Sequence, residues 1–410
     1  MKRLPALPVF ALVVLACGQV APAATAGATP TATAAVAVSA KPTPSASASA
    51  PTAGAGPLFA VLEAKAHPAN TWDTVAIAGL DGFARAKATF DPVARPWAGN
   101  CGGFLMPSSA QAVAGAVFFA DGAGIVRRLS VGGDVVQVAA FPRTSGQQIM
   151  SIAVSPDGAR VLAAILTLPP KPAVDVPCYS PIGDPNKFGP GDWAEDVYVA
   201  EAGNSPKLLS HVSWHQDQRP DVLDLVRWDG VGPLGDQHPF GLSMGVGPIG
   251  PGLFQGKPVR VDPDTGKVVN RVAVDCAVGD VGRTGSLLCW AADGSAIVYR
   301  SDGTELWRWR GPQGELHNAK IGPDDRAMVV SKYDFEAKAP KTTLVVAPGS
   351  SEQTIGTLGS DVAWIDSHTV MDRVGSGAPP YGLSYISLEA PDKVVALGFP
   401  GLFVGTVQGG

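Results

Sequence analysis

The stretch Ser155-Pro156-Asp157-Gly158-Ala159-Arg160-Val161-Leu162-Ala163 decides the fold. It joins one apolar run, Ile152–Val154, to a second, Val161–Ile165, through residues that favour a tight turn. Proline fixes φ, aspartate bonds to its own turn backbone and glycine accepts positive φ, so the stretch reads as a β-hairpin. The same punctuation recurs along the chain. Ala120-Asp121-Gly122 is followed two residues later by Ile125-Val126, and Ala292-Asp293-Gly294 two residues later by Ile297-Val298. Related turns stand at Leu80-Asp81-Gly82, Asp264-Thr265-Gly266 and Gly322-Pro323-Asp324-Asp325. Short apolar runs broken by turn residues about every 8–12 positions mark an all-β protein. No helical period competes over any long stretch.

Composition agrees. The 410 residues include 49 glycines and 37 prolines, and 16% are charged, against about 25% in an ordinary domain. A coiled coil or helical bundle is excluded, because the Glu, Lys and Arg that populate helix surfaces are scarce. The 31 basic residues face 36 acidic ones, for a net charge of −5. That balance leaves no cationic excess to neutralise phosphates, so no nucleic acid is expected as a partner.

A period of roughly 40–50 residues built from four strands is the signature of a β-propeller. Seven four-stranded blades with two long insertions fit the folded part, residues 57–410; eight shorter blades are the alternative. The predicted blades are 57–91, 103–141, 148–213, 220–275, 278–311, 316–358 and 361–400. The first lacks an innermost or outermost strand. The apolar tail Leu402–Val407 is expected to supply it and to close the ring, which removes exposed sheet edges. The Ser155–Ala163 stretch resembles the repeat of TolB-like propellers of the bacterial envelope. Asp302-Gly303-Thr304-Glu305-Leu306-Trp307-Arg308-Trp309 and Asp262-Pro263-Asp264-Thr265-Gly266-Lys267 resemble quinoprotein-type propeller repeats. These resemblances cover about a tenth of the domain. They imply architecture rather than activity, since one fold hosts binders, scaffolds and enzymes.

The N-terminus carries an address. Lys2 and Arg3 precede Leu4–Ala16, a run that is apolar apart from two prolines and shorter than the ~20 residues needed to span a bilayer. Charged start, apolar middle and small residues at the exit describe a secretory signal. Val14-Leu15-Ala16-Cys17-Gly18 resembles the lipobox of bacterial lipoproteins, which implies lipidation at Cys17; ordinary cleavage after Ala21-Pro22-Ala23 is the alternative. Residues 1–17 are thus expected to be a lipoprotein-type signal and residues 18–56 a disordered linker of Ala, Thr, Ser and Pro. The expected location is the cell membrane through an N-terminal lipid, or the extracellular or periplasmic space.

Four cysteines remain in the folded part, an even number in an exported chain. In a four-stranded blade (strands a to d, inside to outside) the b–c loops and the d-to-next-a connections share one face of the disc, and the a–b and c–d turns share the other. Strand parity puts all four cysteines near the first face and predicts the disulfides Cys276–Cys289 and Cys101–Cys178. The same face receives the proline-rich insertion Thr167–Glu195, with Tyr179, Phe188 and Trp193, and the polar-aromatic stretch Trp214–Arg219. Tyr179, Trp193, Trp214, His215, Asp217 and Arg219 form the candidate binding face, because long loops on a rigid scaffold commonly carry function. The structural alternative is a loop stiffened by proline and pinned by Cys178.

Catalytic signals are absent from the sequence. There is no G-x-S-x-G elbow, H-E-x-x-H pair or Walker glycine loop. His211 and His215 stand about 13 Å apart if the segment is a strand, too far to share a metal ion. Asp192, Glu195 and Asp196 lack calcium-loop spacing. Trp307 and Trp309 alternate along a predicted strand and are expected to pack between blades; a stack over a quinone is the sharper alternative. No catalytic residue, metal site or cofactor is assigned. The function expected is a non-catalytic binding or scaffold protein whose partner is an envelope protein or glycan. The competing reading is a propeller enzyme, a quinone-dependent dehydrogenase or a hydrolase, with its site in the central channel.

Overall fold

The computed structural model describes residues 56–63, 72–92, 94–99, 105–107, 109–113, 115–144, 146–178, 187–215, 218, 220–240, 247–248, 257–271, 277–291, 293, 295–310, 317–334, 339–346, 348–349, 352–358, 362–372, 382–399 and 401–407. The predicted signal and lipobox, and the linker up to residue 55, lie outside the described residues.

Among the described residues there is no helix, and the strands build seven four-stranded antiparallel sheets. The first three strands are β1 (Leu58–Glu63), β2 (Thr74–Gly79) and β3 (Ala84–Thr89). After the two-residue β4 (Leu105–Met106), blade 2 is β5 (Ala110–Val113), β6 (Ala116–Ala120), β7 (Ile125–Ser130) and β8 (Val135–Ala140). Blade 3 is β9 (Gln148–Val154), β10 (Arg160–Thr167), β11 (Trp193–Glu201) and β12 (Lys207–Trp214). Blade 4 is β13 (Asp221–Asp229), β14 (Gly232–Pro239), β16 (Lys257–Val261) and β17 (Val268–Arg271), with β15 (Gly247–Pro248) pairing in parallel with β4. Blade 5 is β18 (Ala277–Val281), β19 (Leu287–Trp290), β20 (Ser295–Tyr299) and β21 (Glu305–Arg310). Blade 6 is β22 (His317–Ile321), β23 (Met328–Asp334), β24 (Ala339–Val346) and β25 (Gln353–Ile355). Blade 7 is β26 (Val362–Asp366), β27 (Thr369–Asp372), β28 (Ser384–Ser387) and β29 (Val394–Ala396). The last strand, β30 (Leu402–Thr406), pairs with β1, so blade 1 reads β30-β1-β2-β3 from the inside out.

The ring closes as the apolar tail suggested: three strands from the start of the domain and one from its end share blade 1. Inner strands touch in succession, β30 with β5, β5 with β9, β9 with β13, β18 with β22, β22 with β26 and β26 with β30. Each pair of neighbouring blades has its own apolar core. Ile77 and Phe119 join blades 1 and 2, Phe118 and Ile152 join 2 and 3, and Leu162 and Leu225 join 3 and 4. Leu234 and Val281 join 4 and 5, Trp309 and Ile321 join 5 and 6, Val329 and Trp364 join 6 and 7, and Phe399 and Phe59 join 7 and 1. Burying apolar surface at seven interfaces, at about 25 cal/mol per Å², makes each blade depend on both neighbours.

The stretch that decides the fold shows how the sequence sets one such joint. Ser155 Oγ donates to Asp157 Oδ1 at 2.5 Å, while the Ala159 N–H donates to the same carboxylate at 3.0 Å and the Arg160 N–H to Ser155 Oγ at 2.9 Å. Gly158 adopts φ 72°, and a Cβ built there would stand 3.0 Å from Phe118 of blade 2. Arg160 reaches the other way, into blade 4. Its Nη2 donates to Pro263 O at 2.9 Å and to Asp264 Oδ1 at 2.8 Å, and its guanidinium lies 5.6 Å from the Trp228 ring centre. One turn therefore links three blades.

The inner strands carry a second device. β13, β18, β26 and β30 each contain a bulge, at Val226, Gly279, Ile365 and Val404. A bulge leaves its residue outside the ladder, and side chains from other blades take up three of the carbonyls. Gln111 Nε2 donates to Val226 O at 2.8 Å, Lys320 Nζ to Gly279 O at 3.4 Å, and Thr406 Oγ1 to Ile365 O at 2.7 Å. Related cross-blade bonds run from Leu225 N to Ser151 Oγ at 2.8 Å, from Ile321 N to Asp280 Oδ2 at 2.9 Å and from Trp364 Nε1 to Lys320 O at 3.0 Å. Backbone groups on the axial edge of an inner strand have no strand beside them, and these side chains satisfy several of them.

Candidate functional site

The sequence pointed to the face that carries the b–c loops. The blade-3 insertion is anchored there by aromatic side chains. Phe188 lies 5.0 Å from Trp97 and 4.6 Å from Trp193 between ring centres, and Trp193 lies 4.9 Å from Phe240. Gln147 clamps the two connections: the Trp97 N–H donates to its Oε1 at 2.9 Å, and its Nε2 donates to Pro169 O at 3.1 Å. The d-to-a connection after blade 1 and the start of the insertion are thereby held side by side. Beyond the anchor the loop is open to solvent: Lys171 and Asp175 form an ion pair at 2.7 Å, and Val174 is 75% exposed.

The candidate face is only partly assembled by this geometry. Trp193, expected as a contact residue, is 2% exposed. It opens β11 opposite Trp214, the last residue of β12, and its ring fills the space between insertion and blade 4. That is a correction: the tryptophan holds the loop down from within. Trp214 is half-buried against the same cluster, and His215 is exposed, its N–H donating to Gln218 Oε1 at 3.0 Å. Tyr179, Asp217 and Arg219 lie outside the described residues. Of the cysteines, Cys289 is buried on β19 and Cys178 lies in the insertion, whereas Cys101 and Cys276 lie outside the described residues.

Beneath this face sits a polar cluster whose members the sequence did not bring together: Glu195, weighed there as a calcium ligand, joins Asp224, Asp236 and His238. Glu195 on β11 accepts the Leu223 N–H at 2.9 Å, and His238 Nε2 meets Asp224 Oδ2 at 3.0 Å. Glu195, Asp236 and His238 are buried between blades 3 and 4. Burial disfavours the charged carboxylate and pushes Glu195 up to about 8, helped by repulsion from Asp224 and Asp196 and opposed by the Leu223 N–H and His238. Burial works against a charged His238, but its bond to Asp224 and the nearby Asp236 outweigh that and raise it from the ordinary histidine value. At neutral pH the cluster therefore holds a protonated Glu195, and the bond to Asp224 favours the charged form of His238 beside it. His211, once weighed against His215 as a metal ligand, instead bonds Asp196 Oδ1 at 2.6 Å from β12. Among the described residues no group of three or more His, Cys, Asp or Glu is arranged to hold a metal ion.

The paired tryptophans of β21 pack between blades, as expected. Trp309 is buried in the core of blades 5 and 6, its Nε1 donating to Glu352 at 2.7 Å, and Trp307 Nε1 donates to Asp325 O at 2.9 Å.

No family model matches the sequence, and no curated protein matches it. Solved structures do. TolB from Acinetobacter baumannii is 12% identical, with 86% of this chain covering 67% of that one at a TM-score of 0.38. A putative TolB from Agrobacterium tumefaciens is 15% identical over 67% of this chain and 86% of that one, TM-score 0.32. YCF48 bound to D1 peptide is 12% identical over 72% and 84%, TM-score 0.39. TolB proteins are thus among the structures this chain is similar to. The seven-blade ring stands on its own strand order, and no ligand or activity passes from these proteins to this one.

Proposed function

We propose that this chain is an exported β-propeller, anchored by a lipid at Cys17 and held off the membrane by residues 18–56, that binds an envelope protein or glycan through the b–c face. The observation that carries the reading is the blade-3 insertion. Its base is fixed by Trp97, Phe188, Trp193 and Phe240, while the segment around Val174 stands in solvent. An exposed segment on a rigid base loses little conformational entropy on binding, which is the condition for a recognition loop. Disulfides Cys101–Cys178 and Cys276–Cys289 belong to the proposal. The Gln147 clamp between Trp97 and Pro169 supports the first, and the position of Cys276 immediately before β18, whose Val278 pairs with Cys289, supports the second.

The test is a variant with residues 171–177 replaced by a Gly/Ser linker, which keeps Cys178. Cross-linking in intact cells followed by purification should recover a defined envelope partner with the native protein and lose it with the variant. Equal recovery by a variant of unchanged circular dichroism and melting temperature would refute the role of this face.

A further inference from the structure

At the opposite end of the disc, where the inner strands run into their a–b turns, the axial channel opens into a pocket of about 120 Å³. Inner strands of four successive blades line it, contributing Arg227, Asp280, Lys320 and Trp364 together with the turn residue Arg283. Among the described lining residues three cationic side chains meet one carboxylate, with Asp229 and Asp366 close by outside the lining. The lining carboxylate is engaged: Asp280 Oδ2 accepts the Ile321 N–H, and Oδ1 lies 3.8 Å from Lys320 Nζ. Asp229 balances Arg227 in part: its Oδ2 lies 3.7 Å from Arg227 Nη2, while its Oδ1 accepts from Arg260 Nη1 at 2.8 Å.

One of the guanidiniums has an unused donor. Arg227 gives Nη2 to Gly282 O, but its Nε is buried with no hydrogen-bond partner, and a buried donor left unpaired is costly. Arg283 extends from blade 5 to Ile365 O of blade 7 at 3.5 Å and Thr406 Oγ1 of blade 1 at 3.0 Å, so it spans the channel mouth. Burial lowers the basicity of both guanidiniums, with Asp280 and Asp229 opposing this at Arg227 and Asp366 at Arg283. The bulges at Gly279 and Ile365 sit beside the pocket, and such distortions of inner strands cluster next to binding sites.

We propose that this pocket is a site for a small oxyanion, a carboxylate or phosphate group, held by Arg227, Arg283 and Lys320. An oxyanion supplies the missing acceptor for Arg227 Nε, offsets the excess positive charge and matches the planar fork of a guanidinium. The site is separate from the insertion face and does not depend on it.

The experiment is isothermal titration of the folded protein with sodium acetate and, separately, sodium phosphate, each against sodium chloride at equal ionic strength, with thermal unfolding alongside. One of the two oxyanions should bind saturably and raise the melting temperature above the chloride control. Acetate binding assigns a carboxylate, phosphate binding a phosphate. Lys320→Met should weaken it at least tenfold. Because Lys320 also bonds backbone, Arg283→Gln at the solvent-facing mouth serves as a second variant with an expected loss of several-fold. No saturable binding of either anion above the chloride control, or binding unchanged in both variants, overturns the assignment.

Discussion

Replacing Gln111 by leucine tests the cross-blade bonding of the inner ring. Gln111 is 6% exposed on β5, and its amide ties three blades together. Nε2 donates to Ile152 O at 2.5 Å and Val226 O at 2.8 Å, while Oε1 accepts the Val154 N–H at 3.0 Å. Leucine keeps the volume and removes all three bonds. Each lost bond costs about 1 kcal/mol net, and more where the abandoned backbone group stays dry. The expected loss is therefore about 3 kcal/mol, a large share of the 5–15 kcal/mol typical of folded proteins. Urea unfolding should show a lower midpoint with an unchanged slope, since the surface exposed on unfolding is the same. Gln137→Leu, on the exposed face of β8, should change stability by less than about 0.5 kcal/mol. Ser151→Ala should be non-additive with Gln111→Leu, because Leu225 N and Val226 O are neighbours on one inner strand. A loss below about 1 kcal/mol for Gln111→Leu would show that the axial bonds do not hold the blades together.

Three other outcomes are expected. Glu195 has a folded value of about 8 against an ordinary 4.5, so its stabilising contribution is complete below pH 4.5 and is lost as pH rises through about 8. His238, also raised, acts in the same direction, losing its contribution as pH rises through its folded value. Melting temperature should therefore fall between pH 6 and pH 9, and Glu195→Gln should flatten that slope; an unchanged slope would contradict the assignment. Gly158→Ala should cost about 2–3 kcal/mol, from left-handed backbone plus the approach to Phe118. Gly133→Ala, at φ 92° with open space around it, should cost only the backbone part, about 1 kcal/mol, and equal losses in denaturant would remove Phe118 from the account. Cys17→Ala should release the protein from membrane fractions and abolish incorporation of labelled fatty acid; retention in the membrane would contradict the lipid anchor.

The blades were legible because hairpin turns carry local chemistry. Asp-Gly at 121–122 and Pro-Asp-Gly at 156–158 announce themselves without tertiary context, and the predicted units match the observed blades to within a few residues at most edges. Closure by residues 402–406 was legible because an apolar tail needs a partner and blade 1 lacked a strand. The site was much less so. Trp193 looked like a recognition aromatic, yet a tryptophan at the foot of a long loop has two possible neighbours, solvent or core, and only the position of Phe188 and Phe240 decides between them. Lys320 and Asp280 were passed over for a related reason. Each interrupts an apolar run just before a glycine turn, and such a residue acquires meaning only once its strand is known to be innermost. Gln111 and Arg227 act through partners 41 to 115 residues away, a range at which local pattern carries no signal.

Hydrogen exchange of peptides covering 58–63 and 402–406 addresses ring closure most directly, since the two strands are paired through Phe59↔Thr406 and Leu62↔Leu402. Both peptides should exchange as slowly as β9 and β10 of blade 3 and lose protection together as denaturant is added. Rapid exchange of 402–406, at the rate of an unstructured tail while blade 3 stays protected, would contradict the closed seven-blade ring.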